Sequence, residues 1–131
     1  MNKFSDQLKN KFAHEKIYSL PKQRGGHFNA ELTPSGIKVD CLGSAPLLEW
    51  GAFDAVQNLL LKSATNSAIR GSAMNSKLGD SKLPIDSVEG CIAVYYKTKL
   101  GQSTLRRVSP VANILVWAGL CKHTRGALTM L

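Results

Sequence analysis

An α+β fold is predicted by three features of the sequence. His27 to Cys41 alternates apolar and polar side chains on either side of Thr33-Pro34-Ser35-Gly36, which is how a β-hairpin reads. Trp50 to Lys62 repeats Phe53, Val56, Leu59 and Leu60 at steps of three and four, which is how an amphipathic helix reads. Two more helices are announced by their ends: Asp86-Ser87-Val88-Glu89 has the spacing of a capping box, and Ser109-Pro110 that of an N-cap followed by proline in the first turn. A chain of 131 residues, 44% hydrophobic and 20% charged, supplies one core without disulfides or metal.

The elements follow in chain order. Phe4, Leu8, Phe12 and Ile17 predict an amphipathic helix over 2–18, ended by Leu20-Pro21, with Lys22-Gln23-Arg24-Gly25-Gly26 as a flexible basic link. Residues 1–26 are thus expected as a basic helix and link ahead of a single α+β domain over 27–131. In the hairpin, Pro34 presets φ and Gly36 tolerates a positive one, predicting a loop of about three to five residues. The polar stretch 63–84 exceeds an ordinary connector and is expected to be functional or disordered. In the helix that follows, Asp86 is the expected N-cap, Glu89 the group that reaches back, and Gly101 the stop. A helix over 109–120 ends at Gly119, and a terminal strand pair turns at Lys122-His123-Thr124-Arg125-Gly126.

Charge is segregated along the chain. Residues 1–26 sum to +4 and 27–61 to −3, whereas 62–131 carry Lys62, Arg70, Lys77, Lys82, Lys97, Lys99, Arg106, Arg107, Lys122 and Arg125 against three acids, within a total of +8. A field of this kind attracts polyanions. Arg106 and Arg107 precede a helix N-terminus, whose free amides and dipole favour a phosphate.

Helix, long loop, helix, short basic loop, helix and strand pair over 50–131 resemble a winged helix-turn-helix in element order and charge placement. The resemblance implies a turn at 100–108, a recognition helix at 109–120 and a wing at 122–126. The implied nucleic-acid contacts are Lys97, Lys99, Arg106, Arg107, Asn113, Lys122, His123 and Arg125, with DNA preferred to RNA as the partner. The helix at 109–120 is nearly all apolar, and only Ser109 and Asn113 can bond a base edge, so backbone contacts are expected to dominate. A second expectation, drawn from that apolar helix and the polar loop, is an interaction or inhibitor protein of the kind encoded by phages or mobile elements. An anti-CRISPR-like inhibitor docking on a nucleic-acid-handling complex is one example.

Other classes find little support. Cys41, Cys91 and Cys121 are odd in number, far apart and flanked by apolar residues, as buried thiols in a reducing compartment are. No signal peptide or membrane span is legible, so a cytoplasmic protein without membrane contact is expected. The histidines and cysteines lack the spacing of a zinc site, and no cofactor motif is present. Glu31, Asp40 and Glu49 near Lys38 are the sole candidates for nuclease carboxylates, and a solvated hairpin face explains them as well; the chain is expected not to be an enzyme. Trp50 and Trp117 read as core aromatics, and Tyr96 as an exposed contact. The N-terminal helix is the candidate surface for a homodimer.

Overall fold

The computed structural model describes residues 2–131 and has the predicted α+β class. Among these residues it contains four α-helices and two antiparallel sheets. The first sheet is a meander of β1 (Ile17–Pro21), β2 (His27–Thr33), β3 (Gly36–Val39) and β4 (Leu47–Glu49). Helix α1 (Phe4–Lys11) precedes it, and α2 (Trp50–Lys62) follows. Then come β5 (Ser67–Ile69), α3 (Val88–Tyr95), α4 (Val108–Trp117), β6 (Cys121–Thr124) and β7 (Ala127–Met130). The last three strands form the second sheet in the order β5-β7-β6.

The N-terminal helix is shorter than its sequence pattern suggests. It ends at Lys11, and Ile17–Pro21 is a strand, because Tyr18 and Leu20 follow a period of two. Tyr18 pairs with Ala30 and Leu20 with Phe28 in the β1–β2 register, and Leu20, Phe28 and Ala30 are buried. Pro21 is tolerated because β1 is an edge strand. The expected flexible link is the turn of this hairpin, closed by the Lys22 N–H donating to the Gly26 carbonyl at 2.9 Å. Phe4, Leu8, Phe12 and Leu20 share one core with α2, α3 and α4, so the segment 2–26 packs as part of the same body as the rest. Asp54 and Gln57 of α2 fix the start of α1, accepting from the Ser5 and Phe4 amides at 3.0 and 2.7 Å. The apolar face once available for a homodimer is therefore spent inside the chain.

The β2–β3 hairpin and α2 lie where expected, the turn being tighter, with Pro34 and Ser35 alone between the paired Thr33 and Gly36. The long polar segment is ordered. It contributes β5 to the second sheet, and Leu78 and Leu83 bury themselves with Ala93 of α3 in a small second core. Helix α3 stops at Tyr95, before the expected Gly101, in a Schellman motif. Lys97 there has φ 66°, its N–H donates to Val94, and Thr98 donates to Ala93. Gly119 closes α4 in the same way, through bonds from Gly119 to Val116 and Leu120 to Leu115.

Two caps differ from the sequence reading. Ser87, not Asp86, is the N-cap of α3, its hydroxyl accepting from the Gly90 amide at 3.0 Å. Glu89 turns away from its own helix. Its buried carboxylate accepts from the backbone amides of Arg107, at 2.9 and 3.2 Å, and of Val108, at 2.6 Å, and so caps α4. Helix α4 consequently starts at Val108, which places Pro110 third in the first turn rather than first.

Candidate nucleic-acid interface

Helix α4 is a core element. Its residues from Val108 to Leu115 are buried except Ser109, with β1 on one side and β6 on another. Phe12, Tyr18 and Trp117 stack edge-to-face or tilted at 5.0 to 5.2 Å, closing the helix's C-terminal end beneath the N-terminal segment. A helix packed on this many sides cannot enter a major groove, so the implied role of residues 109–120 as a recognition helix is not what the geometry offers. Trp50 is likewise a structural aromatic: its indole N–H donates to the Pro34 carbonyl, and Lys9 lies over its ring.

Burial of α4 leaves a cleft at its N-terminal end. The cleft, about 670 Å³, lies between the β1–β2 turn, the single 3₁₀ turn Asp40–Leu42, the segment following β5, and the residues entering α4. Lys22 and Arg24 come from the first wall, Cys41 and Leu42 from the second, Arg70 from the third and Arg106 from the fourth. Four cations thus face one cavity, and among the described residues no carboxylate lines it. Asn113, one turn inside α4, reaches it from below and is 6% exposed. Its carboxamide is not among the buried polar atoms without a partner, so it is open to the cleft.

Arg70 is the best-held of the four cations. Its N–H donates to the Gly126 carbonyl of the β6–β7 turn at 3.0 Å, and its own carbonyl accepts from the Glu89 amide at 2.9 Å. The guanidinium Nη1 lies 3.3 Å from His123 Nδ1, so a neutral His123 accepts there. Burial lowers the Arg70 pKa, the charge of Glu89 opposes that, and neighbouring Arg24 adds to it. The side chain nonetheless remains a cation at any physiological pH. His123 is held below the ordinary imidazole range, by burial first and by the Arg70 charge second, which favours the neutral acceptor form. Gly71 has φ 74°, and a side chain there would run into Ser87, so glycine is required where the chain turns past the cleft.

The residues singled out from the sequence divide. Arg106 and Asn113 line the cleft, and His123 supports it through Arg70. Arg107 does not join its neighbour: its guanidinium carbon sits 3.9 Å from the Tyr96 ring centroid, and its buried Nε has no hydrogen-bond partner among the described residues. Tyr96 is accordingly half-covered, its hydroxyl accepting from the Glu49 amide, and is not the free contact expected of it. Lys97 and Lys99 lie past the far end of α3, about 12 Å along its axis from the end that meets Arg70. Lys122 and Arg125 are exposed on the terminal hairpin, beside the cleft but outside its lining. The predicted anion position on the amides before α4 is filled, because Glu89 occupies it.

Lys22, Arg24 and Arg70 were not foreseen as one group, since no sequence spacing connects the first hairpin to the end of β5. Among the described residues the single ion pair is Lys16 with Glu31, at 3.4 Å, so the cations of the cleft are not neutralised by salt bridges. Glu31, Lys38 and Asp40 do share a shallow depression on the outer face of the first sheet. Asp40 there accepts from the Asn29 amide, and Glu49 stands elsewhere, accepting from the Tyr95 hydroxyl. Among the described residues no group of three potential ligands is placed to hold a metal ion, and no helix is long and apolar enough to cross a membrane. No protein-family model, curated protein or solved structure matches the chain.

Proposed function

We propose that the protein is a non-catalytic nucleic-acid-binding protein, with DNA as its partner, that holds phosphates in the cleft between the first hairpin and the start of α4. The observation that carries this reading is the convergence of Lys22, Arg24, Arg70 and Arg106 on a cavity without a lining carboxylate. Cations facing one another repel, and burial around Arg70 strengthens the repulsion; a bound polyanion relieves both. Arginine suits the role because its planar fork grips phosphate oxygens in pairs.

The element order α2, α3, α4 and a strand pair is that on which the winged-helix resemblance rests, with β5 completing a three-stranded sheet. What differs is the working surface. The N-terminal hairpin covers the helix that the resemblance assigns to base readout, and supplies two cations of its own. Binding is then governed by backbone charge, with a logarithmic salt slope of about −0.7 to −0.9 per phosphate contact.

Fluorescence anisotropy with labelled DNA across a salt series tests the reading. About three to four contacts predict a slope near −3. Absence of binding at low ionic strength, or binding without salt dependence, overturns it.

A further inference from the structure

Asn113 lies on the inner side of the cleft, one turn inside α4. The residue is 6% exposed and lines the cavity, and its carboxamide is not among the buried polar atoms sealed off without a partner, so the cleft reaches it. Buried side-chain polar groups are nearly always paired, and a carboxamide brings two donors and an acceptor to be satisfied. Open to the solvent of the cleft, the Asn113 carboxamide can exchange water for the matching edge of an entering group.

Three features define that entrant. Arg24 and Arg106 are exposed at the mouth and Arg70 is half-buried, so negative charge is drawn toward the interior as well as to the rim. Phe28, Leu42 and Pro110 add an apolar wall, and Ser72 and Ser109 add hydroxyls. The volume of about 670 Å³ belongs to the range that encloses one small molecule, and a base-paired duplex has no unpaired base to insert.

We infer that the cleft admits one unpaired phosphorylated nucleoside unit, its phosphate among Arg24, Arg70 and Arg106 and its base or sugar hydrogen-bonded by Asn113. The unit comes either as a free nucleotide or as part of a single strand; the chemistry is common to both. This inference rests on the nucleic-acid reading above and narrows it. An asparagine carboxamide pairs readily with the edge of a base, and single strands present those edges unpaired.

The test uses the full chain and two measurements. In anisotropy at one salt concentration, a single-stranded oligonucleotide is expected to bind about tenfold tighter than the same sequence as a blunt duplex. Asn113→Leu, near-isosteric and uncharged, at unchanged melting temperature, is expected to remove about tenfold of that single-strand affinity, the worth of one good base contact, and to leave duplex affinity unchanged. The second measurement needs no variant. Cys41 is exposed and lines the cleft, so adenosine 5′-monophosphate is expected to slow its alkylation by iodoacetamide more than equal inorganic phosphate or adenosine does. Protection by the free nucleotide without oligonucleotide binding supports the nucleotide chemistry of the cleft, identifies the free source, and by itself overturns the nucleic-acid reading. Equal or tighter binding of duplex, with no nucleotide protection of Cys41, overturns the inference and leaves the phosphate-binding reading standing. Failure of duplex, single strand and nucleotide alike overturns both.

Discussion

Glu89 Oε2 lies 2.6 Å from the backbone nitrogen of Val108, and this contact sets both the start of α4 and the chemistry available beside it. The first-turn amides of a helix attract anions, and here an internal carboxylate has taken them. The carboxylate makes its hydrogen bonds to amides and does not line the cleft, so it acts on Arg70 and Arg106 only through its field. Glu89→Ala strands two buried donors and is expected to destabilise the fold by about 3 kcal/mol, roughly 10 °C in Tm. Thermal denaturation checks it, and a change below about 0.5 kcal/mol would show the cap to be dispensable.

Glu89 also carries a pH signature. Burial holds its carboxyl above the ordinary carboxylate range, opposed by the amides of Arg107 and Val108. Between the ordinary and the raised pKa the folded chain binds more protons than the unfolded one. The contribution of Glu89 to stability is therefore largest at low pH and falls as pH rises through the raised value. Denaturation at a series of pH values is expected to show this negative slope, and Glu89→Gln to remove it.

His123 contributes in the opposite direction. Its folded pKa is lowered, so the unfolded chain binds more protons in the window beneath the ordinary histidine value. Its contribution is complete above that value and is lost as pH falls through the lowered one. Burial is the larger cause of the lowered value and the Arg70 charge the smaller; a phosphate seated on Arg70 offsets the second, so an imidazole titration followed by NMR is expected to move upward when nucleotide is added. A titration curve that stays in place places the anion away from Arg70.

The three thiols are expected to react in a fixed order. Cys41 is exposed, Cys91 is partly covered with its Sγ 3.4 Å from the Ala55 carbonyl, and Cys121 is buried with its pKa pushed up to about 12 by burial. The thiolate is the reactive form, so Cys121 stays inert in the native state. Mass-resolved alkylation should modify Cys41 first and Cys121 last, on unfolding. Early modification of Cys121 would contradict the packing of β6 on α4.

Gly90 marks the closest approach in the α3 cap. An added Cβ would collide with the Pro84 carbonyl and press on the Ser87 hydroxyl that caps the helix. Gly90→Ala is expected to cost about 2 kcal/mol, despite alanine's better helix propensity. Urea denaturation measures it, and a neutral or stabilising effect would show that the 84–87 turn gives way freely.

What the sequence made legible was local. Alternation around Thr33 to Gly36, helical spacing in 50–62, and Gly119 as a stop all act within a few residues, and those elements stand where they were placed. The errors are tertiary. Phe12, Tyr18 and Leu20 satisfy a helical and an extended pattern equally, and pairing with Phe28 and Ala30 decides between them. Glu89 had the spacing of a capping box, yet the uncapped amides of another helix were the stronger demand. The three residues Ser67–Ile69 are too few to show a period, and β7 gives them their strand. For the site, charge counting by segment found the excess, whereas its focus needed the first hairpin, the end of β5 and the start of α4 brought together.

The central claim is that phosphates are held in the cleft rather than on the terminal hairpin. Oligonucleotide affinity should therefore be measured for Arg70→Gln with Arg106→Gln beside Lys122→Gln with Arg125→Gln, at matched salt. The account predicts that the first pair lowers affinity more than about tenfold and flattens the salt slope by about 1.5, while the second changes affinity by less than about threefold. Loss confined to the second pair would move the binding surface to the wing and contradict the account.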